Sequence, residues 1–163
     1  MPKTALQFRH NGREVAIFVD GGTSLLVALR ELIGDMTPKF GCGQGGCGTC
    51  SVLIDGELYL SCLTLAETVA GRSVETLDGM KQGASLHPLQ RSFAEHFAAQ
   101  CGYCTPGMLM AAKALLDRNP SPSREEVVEA ISGNICRCTG YEPIINAVLA
   151  AASAKPSNGR TSA

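Results

Sequence analysis

The stretch Gly41-Cys42-Gly43-Gln44-Gly45-Gly46-Cys47-Gly48-Thr49-Cys50, completed by Cys62, decides how this chain reads. Three cysteines in the order C-x4-C-x2-C, with a lone fourth downstream, have the plant-type ligand spacing of a 2Fe–2S cluster. The reason is geometric. Three thiolates from one loop must wrap an inorganic core, so the backbone folds tightly and aims its N–H groups at sulfur. Glycine at 41, 43, 45, 46 and 48 tolerates positive φ and close backbone approach. A run of amides facing one point also forms a nest for an anionic group. A flexible glycine linker rarely holds three cysteines at ligand spacing.

The chain has eight cysteines, and the other four form a second set, Cys101-Gly102-Tyr103-Cys104 and Cys136-Arg137-Cys138. Disulfides are disfavoured, because cysteines packed this tightly suit convergence on a metal better than pairing with distant partners. Zinc is the second alternative, but zinc ribbons use two similar knuckles and these spacings are uneven. Cys101 and Cys104 alone would pass for a thioredoxin-like redox pair, which should follow a strand in a βαβ unit. Here they follow a helical stretch. Each pair precedes a predicted helix: Thr105-Pro106 opens one, and Tyr141-Glu142-Pro143 leads into another. Helix N-termini are electropositive and carry free N–H groups, so both would stabilise a negative cluster. Eight thiols divide as four and four, with none left over.

The first half reads as strands joined by tight turns. Strands are expected over 6–9 and 14–19 around Asn11-Gly12, over 51–54 and 58–60 around Asp55-Gly56, and over 73–77. Thr23 or Ser24 caps a short helix over 25–32, with Leu26, Leu29 and Ile33 at helical spacing. From Ser85 the period changes to 3.6: Leu86, Leu89, Phe93 and Phe97 mark one face of a helix ending before Cys101. Ser123 and Glu126 form a capping box for another helix. The expected organisation is α+β. A ferredoxin-like domain over 1–78 and a linker over 79–84 precede a four-helix domain over 85–154 and a disordered tail over 155–163.

Composition narrows the function. With 163 residues, 45% hydrophobic content and a net charge of −1, the chain can bury real cores. It has no charge argument for nucleic acid or an anionic membrane as partner. No apolar run reaches the roughly 18 residues that membrane insertion needs, and Met1 to His10 lacks a signal-peptide stretch, so a cytoplasmic protein is expected. His10, His87 and His96 lack ligand-spaced partners and read as solvated or packed, while Met108 and Met110 read as packing. The apolar stretches 108–116 and 144–152 are expected to offer surface to a partner.

Three motifs in order now carry a resemblance: the Gly41 to Cys50 loop, Gln100-Cys101-Gly102-Tyr103-Cys104-Thr105-Pro106-Gly107-Met108, and Gly133-Asn134-Ile135-Cys136-Arg137-Cys138-Thr139-Gly140-Tyr141. With Asn119-Pro120-Ser121-Pro122 they resemble the iron–sulfur subunit of the xanthine dehydrogenase and aldehyde oxidoreductase family of molybdenum hydroxylases. The likeness runs from about Leu6 to Ala152. It implies an N-terminal plant-ferredoxin-like β-grasp domain whose cluster is held by Cys42, Cys47, Cys50 and Cys62. It also implies a C-terminal four-helix domain whose cluster is held by Cys101, Cys104, Cys136 and Cys138. A large subunit would carry a molybdopterin-type cofactor and perform the hydroxylation. Electrons would then pass to the helical-domain cluster, on to the ferredoxin-type cluster, and out through FAD on a medium subunit or another acceptor.

Such a chain is a redox relay with no catalytic residue of its own, part of a hetero-oligomer such as a dimer of heterotrimers. Gln100 and Cys138 match positions that approach the pterin at the subunit interface. The competing reading of Gln100 is a residue capping the preceding helix. Relatives often carry an acidic residue after the first cysteine and alanine before the third, where this chain has Gly43 and Thr49. A free-standing two-cluster ferredoxin is the alternative function; a net charge of −1 is low for a shuttle steered by its field.

Overall fold

The computed structural model describes residues 3–81, 83 and 85–154. Strands β1 (Lys3–His10) and β2 (Arg13–Asp20) form an antiparallel hairpin. Its turn residues Asn11 and Gly12 have φ of 49° and 79°, the type I′ geometry that the dipeptide predicts. Helix α1 begins as Leu25–Val27 and continues as π-helical turns, Ala28–Ile33. Ser24 is its cap, accepting from the Val27 N–H at 3.3 Å, while the Thr23 hydroxyl turns back to the Asp20 carbonyl. Strands β3 (Ser51–Ile54) and β4 (Glu57–Leu60) form the second hairpin, and β5 (Ser73–Glu75) runs parallel to β1. The sheet order is β2-β1-β5-β3-β4, with α1 packed on one face through Leu25, Ala28 and Leu29. This is the β-grasp arrangement expected of a ferredoxin-like domain.

Strand β3 is buried along its whole length, which alternation would not give. Val52 and Ile54 face the core under α1, whereas Leu53 belongs to the core of the helical half. The helical half therefore covers the second face of the sheet. It consists of α2 (Pro88–Glu95), α3 (Thr105–Arg118), α4 (Arg124–Ile131) and α5 (Glu142–Ser153). Leu77, ahead of the expected linker, and Met80, within it, already pack with these helices. Two linker positions, Gln82 and Ala84, and the tail 155–163 lie outside the described residues.

Two expectations are corrected. The helix expected to carry Leu86, Leu89, Phe93 and Phe97 runs only from Pro88 to Glu95, and of those four residues only Leu89 and Phe93 are buried. His87 and Gln90 form a capping box at its start, and the Ala98 N–H bonding to the Phe93 carbonyl closes its end. The apolar period simply outran these caps: Leu86 lies before the helix, and Phe97 sits beyond it at φ 53°, 82% exposed. Nor do α3 and α5 offer free apolar surface. Met108, Met110, Ala112, Ile144 and Val148 are buried in the chain's own core. The exposed large apolar side chains include Phe40, Leu63, Phe97 and Ile135 instead.

A buried polar knot fixes the loop that leads from α1 toward the cysteines. Asp35 accepts from His10 Nε2 at 2.9 Å, Thr76 Oγ1 at 2.6 Å, Thr37 Oγ1 at 2.6 Å and the Thr37 N–H at 2.9 Å. Burial pushes its carboxyl pKa upward, but these bonds outweigh burial and hold it well below the usual carboxylate value. A depressed folded-state pKa contributes stability above the ordinary aspartate range. That contribution is lost as pH falls through the folded-state value. Asp35→Asn is expected to cost about 2 kcal/mol near neutral pH, because two donors then face an amide in place of a charged acceptor. The gap between variant and wild-type thermal midpoints should narrow only below roughly pH 4, where the unfolded carboxyl begins to protonate. A gap that stays constant into stronger acid would overturn this account.

Candidate metal centres

The glycine-rich loop between α1 and β3 carries Cys42, Cys47 and Cys50. Cys47 lies within hydrogen-bonding reach of Cys42, and Cys50 within reach of Cys62. The nest expected from the glycines is present: the backbone N–H groups of Gln44, Gly46 and Cys47 point at the Cys42 sulfur, that of Gln44 at 3.5 Å. These donors, Gln44 first, lower the Cys42 pKa to about 7. Cys62 moves the other way. Burial and the neighbouring Cys50 push it up to about 11, against one N–H from Gly45. Thr49, where relatives often carry alanine, places its hydroxyl 3.2 Å from Cys47 Sγ and 3.1 Å from the Lys39 carbonyl. Gly43 has φ of 69°, a conformation that asks for glycine.

The second set assembles from two helix starts. Cys104 is the cap residue of α3, and Cys136 and Cys138 lie on the loop entering α5. Cys138 Sγ lies 3.6 Å from Cys101 Sγ, and Cys104 is within reach of Cys136. Burial, then Cys136, push Cys104 up to about 12. Burial also acts upward on Cys136, but the Thr139 hydroxyl and the N–H groups of Thr139 and Cys138 prevail and lower it.

Each set holds four thiols. Among the described residues no three histidine, cysteine or acidic side chains converge closely enough to hold one metal ion. A tetrahedral zinc site needs four ligands on one metal, while a 2Fe–2S core takes two thiolates on each iron. Four thiols in each set match the two thiolates that each iron of a 2Fe–2S core takes. All eight thiols are free.

The two loops touch. Ile135 N–H donates to the Cys47 carbonyl at 2.9 Å, and the Asn134 side-chain amide donates to the Gly48 carbonyl at 2.8 Å. Gly107, in the first turn of α3, packs directly against that Gly48 carbonyl. Tyr103 adds a third tie, its hydroxyl donating to the Phe40 carbonyl at 2.7 Å. None of these contacts was legible in the sequence, although the Gly-Asn-Ile run before Cys136 stood in a recognised motif. Gln100 is exposed and lies past the end of α2, which is capped by His96, so the capping role does not hold. The three histidines take structural parts. His10 bonds Asp35, His87 caps α2, and His96 bonds the Ser92 carbonyl at 2.9 Å.

Two family models match this chain. A 2Fe-2S iron-sulfur cluster binding domain matches residues 8–75, and a 2Fe-2S binding domain matches residues 76–149. The nicotine 6-hydroxylase small subunit of Paenarthrobacter nicotinovorans is 50% identical over 139 residues, covering 85% of this chain and 84% of its own. The xanthine dehydrogenase iron-sulfur-binding subunit of Escherichia coli O157:H7 is 42% identical, covering 85% of this chain and 88% of its own. Quinoline 2-oxidoreductase from Pseudomonas putida 86 contains a chain of the same fold. It superimposes with a TM-score of 0.91 at 49% identity, over 93% of this chain and 95% of its own. In the aldehyde oxidoreductase of Megalodesulfovibrio gigas the matching unit is 16% of a longer protein. Two cluster-binding domains in this order, on this fold and at these identities, mean that the chain belongs to the iron–sulfur small subunits of the molybdenum hydroxylases, carrying two 2Fe–2S clusters as the electron-transfer part of an oxidoreductase complex.

Proposed function

We propose that Cys42, Cys47, Cys50 and Cys62 hold the ferredoxin-type cluster and that Cys101, Cys104, Cys136 and Cys138 hold the helical-domain cluster. In this reading the chain receives electrons from a molybdopterin-type cofactor on a large subunit and passes them to FAD on a medium subunit. Each cluster, when bound, takes up and returns one electron at a time. The observation that carries the reading is the bond from Ile135 N–H to the Cys47 carbonyl. It joins the residue beside ligand Cys136 to ligand Cys47 through backbone and one hydrogen bond. The loop amides and helix starts hold negative charge at both ends of this bridge without a titrating side chain.

Exposure supports the orientation. Cys101 and Cys138 are the exposed members of the second set, and Gln100 is exposed beside them. These three face outward where a pterin on the large subunit would approach. Phe40 and Leu63 are exposed around the first loop and offer an apolar rim to the acceptor subunit. The relatives near 50% identity are named for nicotine and quinoline, which favours a nitrogen heteroaromatic as substrate of the complex. Reduced thiols suit the cytoplasm, and no described helix is long and apolar enough to cross a membrane.

The test is metal content of the native complex captured through a tag on this chain. About four irons for each molybdenum are expected, with a co-purifying large subunit that oxidises nitrogen heteroaromatics. Iron without molybdenum would favour a free two-cluster ferredoxin, and zinc in place of iron would overturn both.

A further inference from the structure

We propose that Thr139 is the positioning residue that sets the reduction potential of the helical-domain cluster, through a hydroxyl proton that the fold commits to Cys136 Sγ. This rests on Cys136 being a cluster ligand. Thr139 Oγ1 lies 3.1 Å from Cys136 Sγ. The Tyr141 N–H donates to the same Oγ1 at 3.2 Å, and the Tyr141 hydroxyl accepts from the Cys136 N–H at 3.0 Å. The three bonds close a ring: Cys136 to Tyr141, Tyr141 to Thr139, Thr139 back to Cys136.

The direction of the last bond follows from counting protons. A hydroxyl has one proton and two lone pairs. The Tyr141 amide occupies one lone pair, and a thiolate can only accept, so the Thr139 proton lies on sulfur. The backbone is bent to achieve this. Gly140 and Tyr141 both have left-handed φ, 68° and 70°. Such a conformation is costly for tyrosine and persists only where its surroundings enforce it. Here the Tyr141 ring packs against the helical core, which returns the phenol to the Cys136 amide.

Among the described residues the ferredoxin-type site has no equivalent. Thr49 Oγ1 has two acceptors, Cys47 Sγ at 3.2 Å and the Lys39 carbonyl at 3.1 Å, and one proton to give. Its bond to sulfur is shared, whereas that of Thr139 is fixed. A donor to a thiolate strengthens as negative charge on sulfur grows, so it favours the reduced state and raises the potential. Thr139 thus biases electrons toward the helical-domain end of the chain more strongly than Thr49 does toward the other.

The test is an EPR-monitored redox titration of the complete complex carrying Thr139→Val, Thr139→Ser or Thr49→Val. Thr139→Val should keep its iron and make the helical-domain cluster roughly tenfold harder to reduce, about 59 mV for a one-electron couple. The ferredoxin-type midpoint should not move. Thr139→Ser should restore the native midpoint, and Thr49→Val should shift its own cluster by less than half as much. An iron-replete Thr139→Val with an unchanged midpoint, or a serine variant shifted as far as the valine one, would overturn the proposal. Should Thr139→Val lose iron, resonance Raman of the unmodified complex decides. Iron–sulfur stretching bands that shift in D2O, together with a native midpoint in Thr139→Ser, support the bond, and their constancy refutes it. Full iron content in Cys136→Ala would instead sink the ligand assignment beneath it.

Discussion

Cys104→Ala is expected to leave the complex with about half its iron, the ferredoxin-type EPR signal intact and the helical-domain signal gone. Cys104 sits at the start of α3, paired with Cys136, and its removal leaves one iron with a single thiolate. Stability should fall as well, because ligation joins α3 to the loop before α5 and metal binding contributes directly to folding. Substrate should then no longer reduce the ferredoxin-type cluster, since the bridge through Ile135 begins at the lost site. Iron analysis, EPR and single-turnover reduction by substrate separate these effects. Retention of all iron would exclude Cys104 as a ligand. Loss of both clusters together would mean that the two halves fold as one unit around them.

Gly107→Ala is expected to produce the second large effect, at a position with no chemistry of its own. A Cβ there would run into the Gly48 carbonyl and lie 2.9 Å from the Asn134 side-chain amide. Both obstacles belong to the junction of the two loops, and a carbonyl oxygen of backbone cannot move aside as a side chain can. Helix α3 must shift away from the loop, loosening the bonds from Asn134 to Gly48 and from Ile135 to Cys47. Overpacking of this kind costs about 3 kcal/mol, which for a chain of this length lowers the melting midpoint by roughly 6–12 °C. Both clusters should still load, with slower electron exchange between them. Thermal bleaching of the visible absorbance and the rate of intercluster transfer are the measurements. A variant with native midpoint and native rate would show that the close approach at Gly107 carries no weight.

Much of the site was legible because its signals are local. The spacing Cys42, Cys47, Cys50 places three thiols within one loop, and Asn11-Gly12 and Asp55-Gly56 each dictate a turn within two residues. Ser24 and Ser123 announced helix starts by the same short-range logic, satisfying N–H groups that a helix leaves unpaired. Where the period was read over a longer span it failed. Leu86 and Phe97 matched the face of Leu89 and Phe93, but His87-Pro88 and the turn at His96 cut the helix inside that pattern. The apolar content of α3 and α5 was visible, yet its destination was not, since burial in the chain's own core and burial against a partner ask for the same residues.

The sequence by itself determined the number of thiols, their division into two sets, the hairpins and the four-helix half. Cysteine spacing, turn dipeptides and helix caps act over a few bonds, so they survive without knowledge of the fold. Only the tertiary structure decided how the sets meet. Leu53 on β3 buries itself under α3, and this docking brings Ile135 to Cys47 and Asn134 to Gly48 across more than eighty residues of chain. No local signal encodes such a contact. It depends on where two independently formed faces come to rest, which packing and close backbone approach settle together.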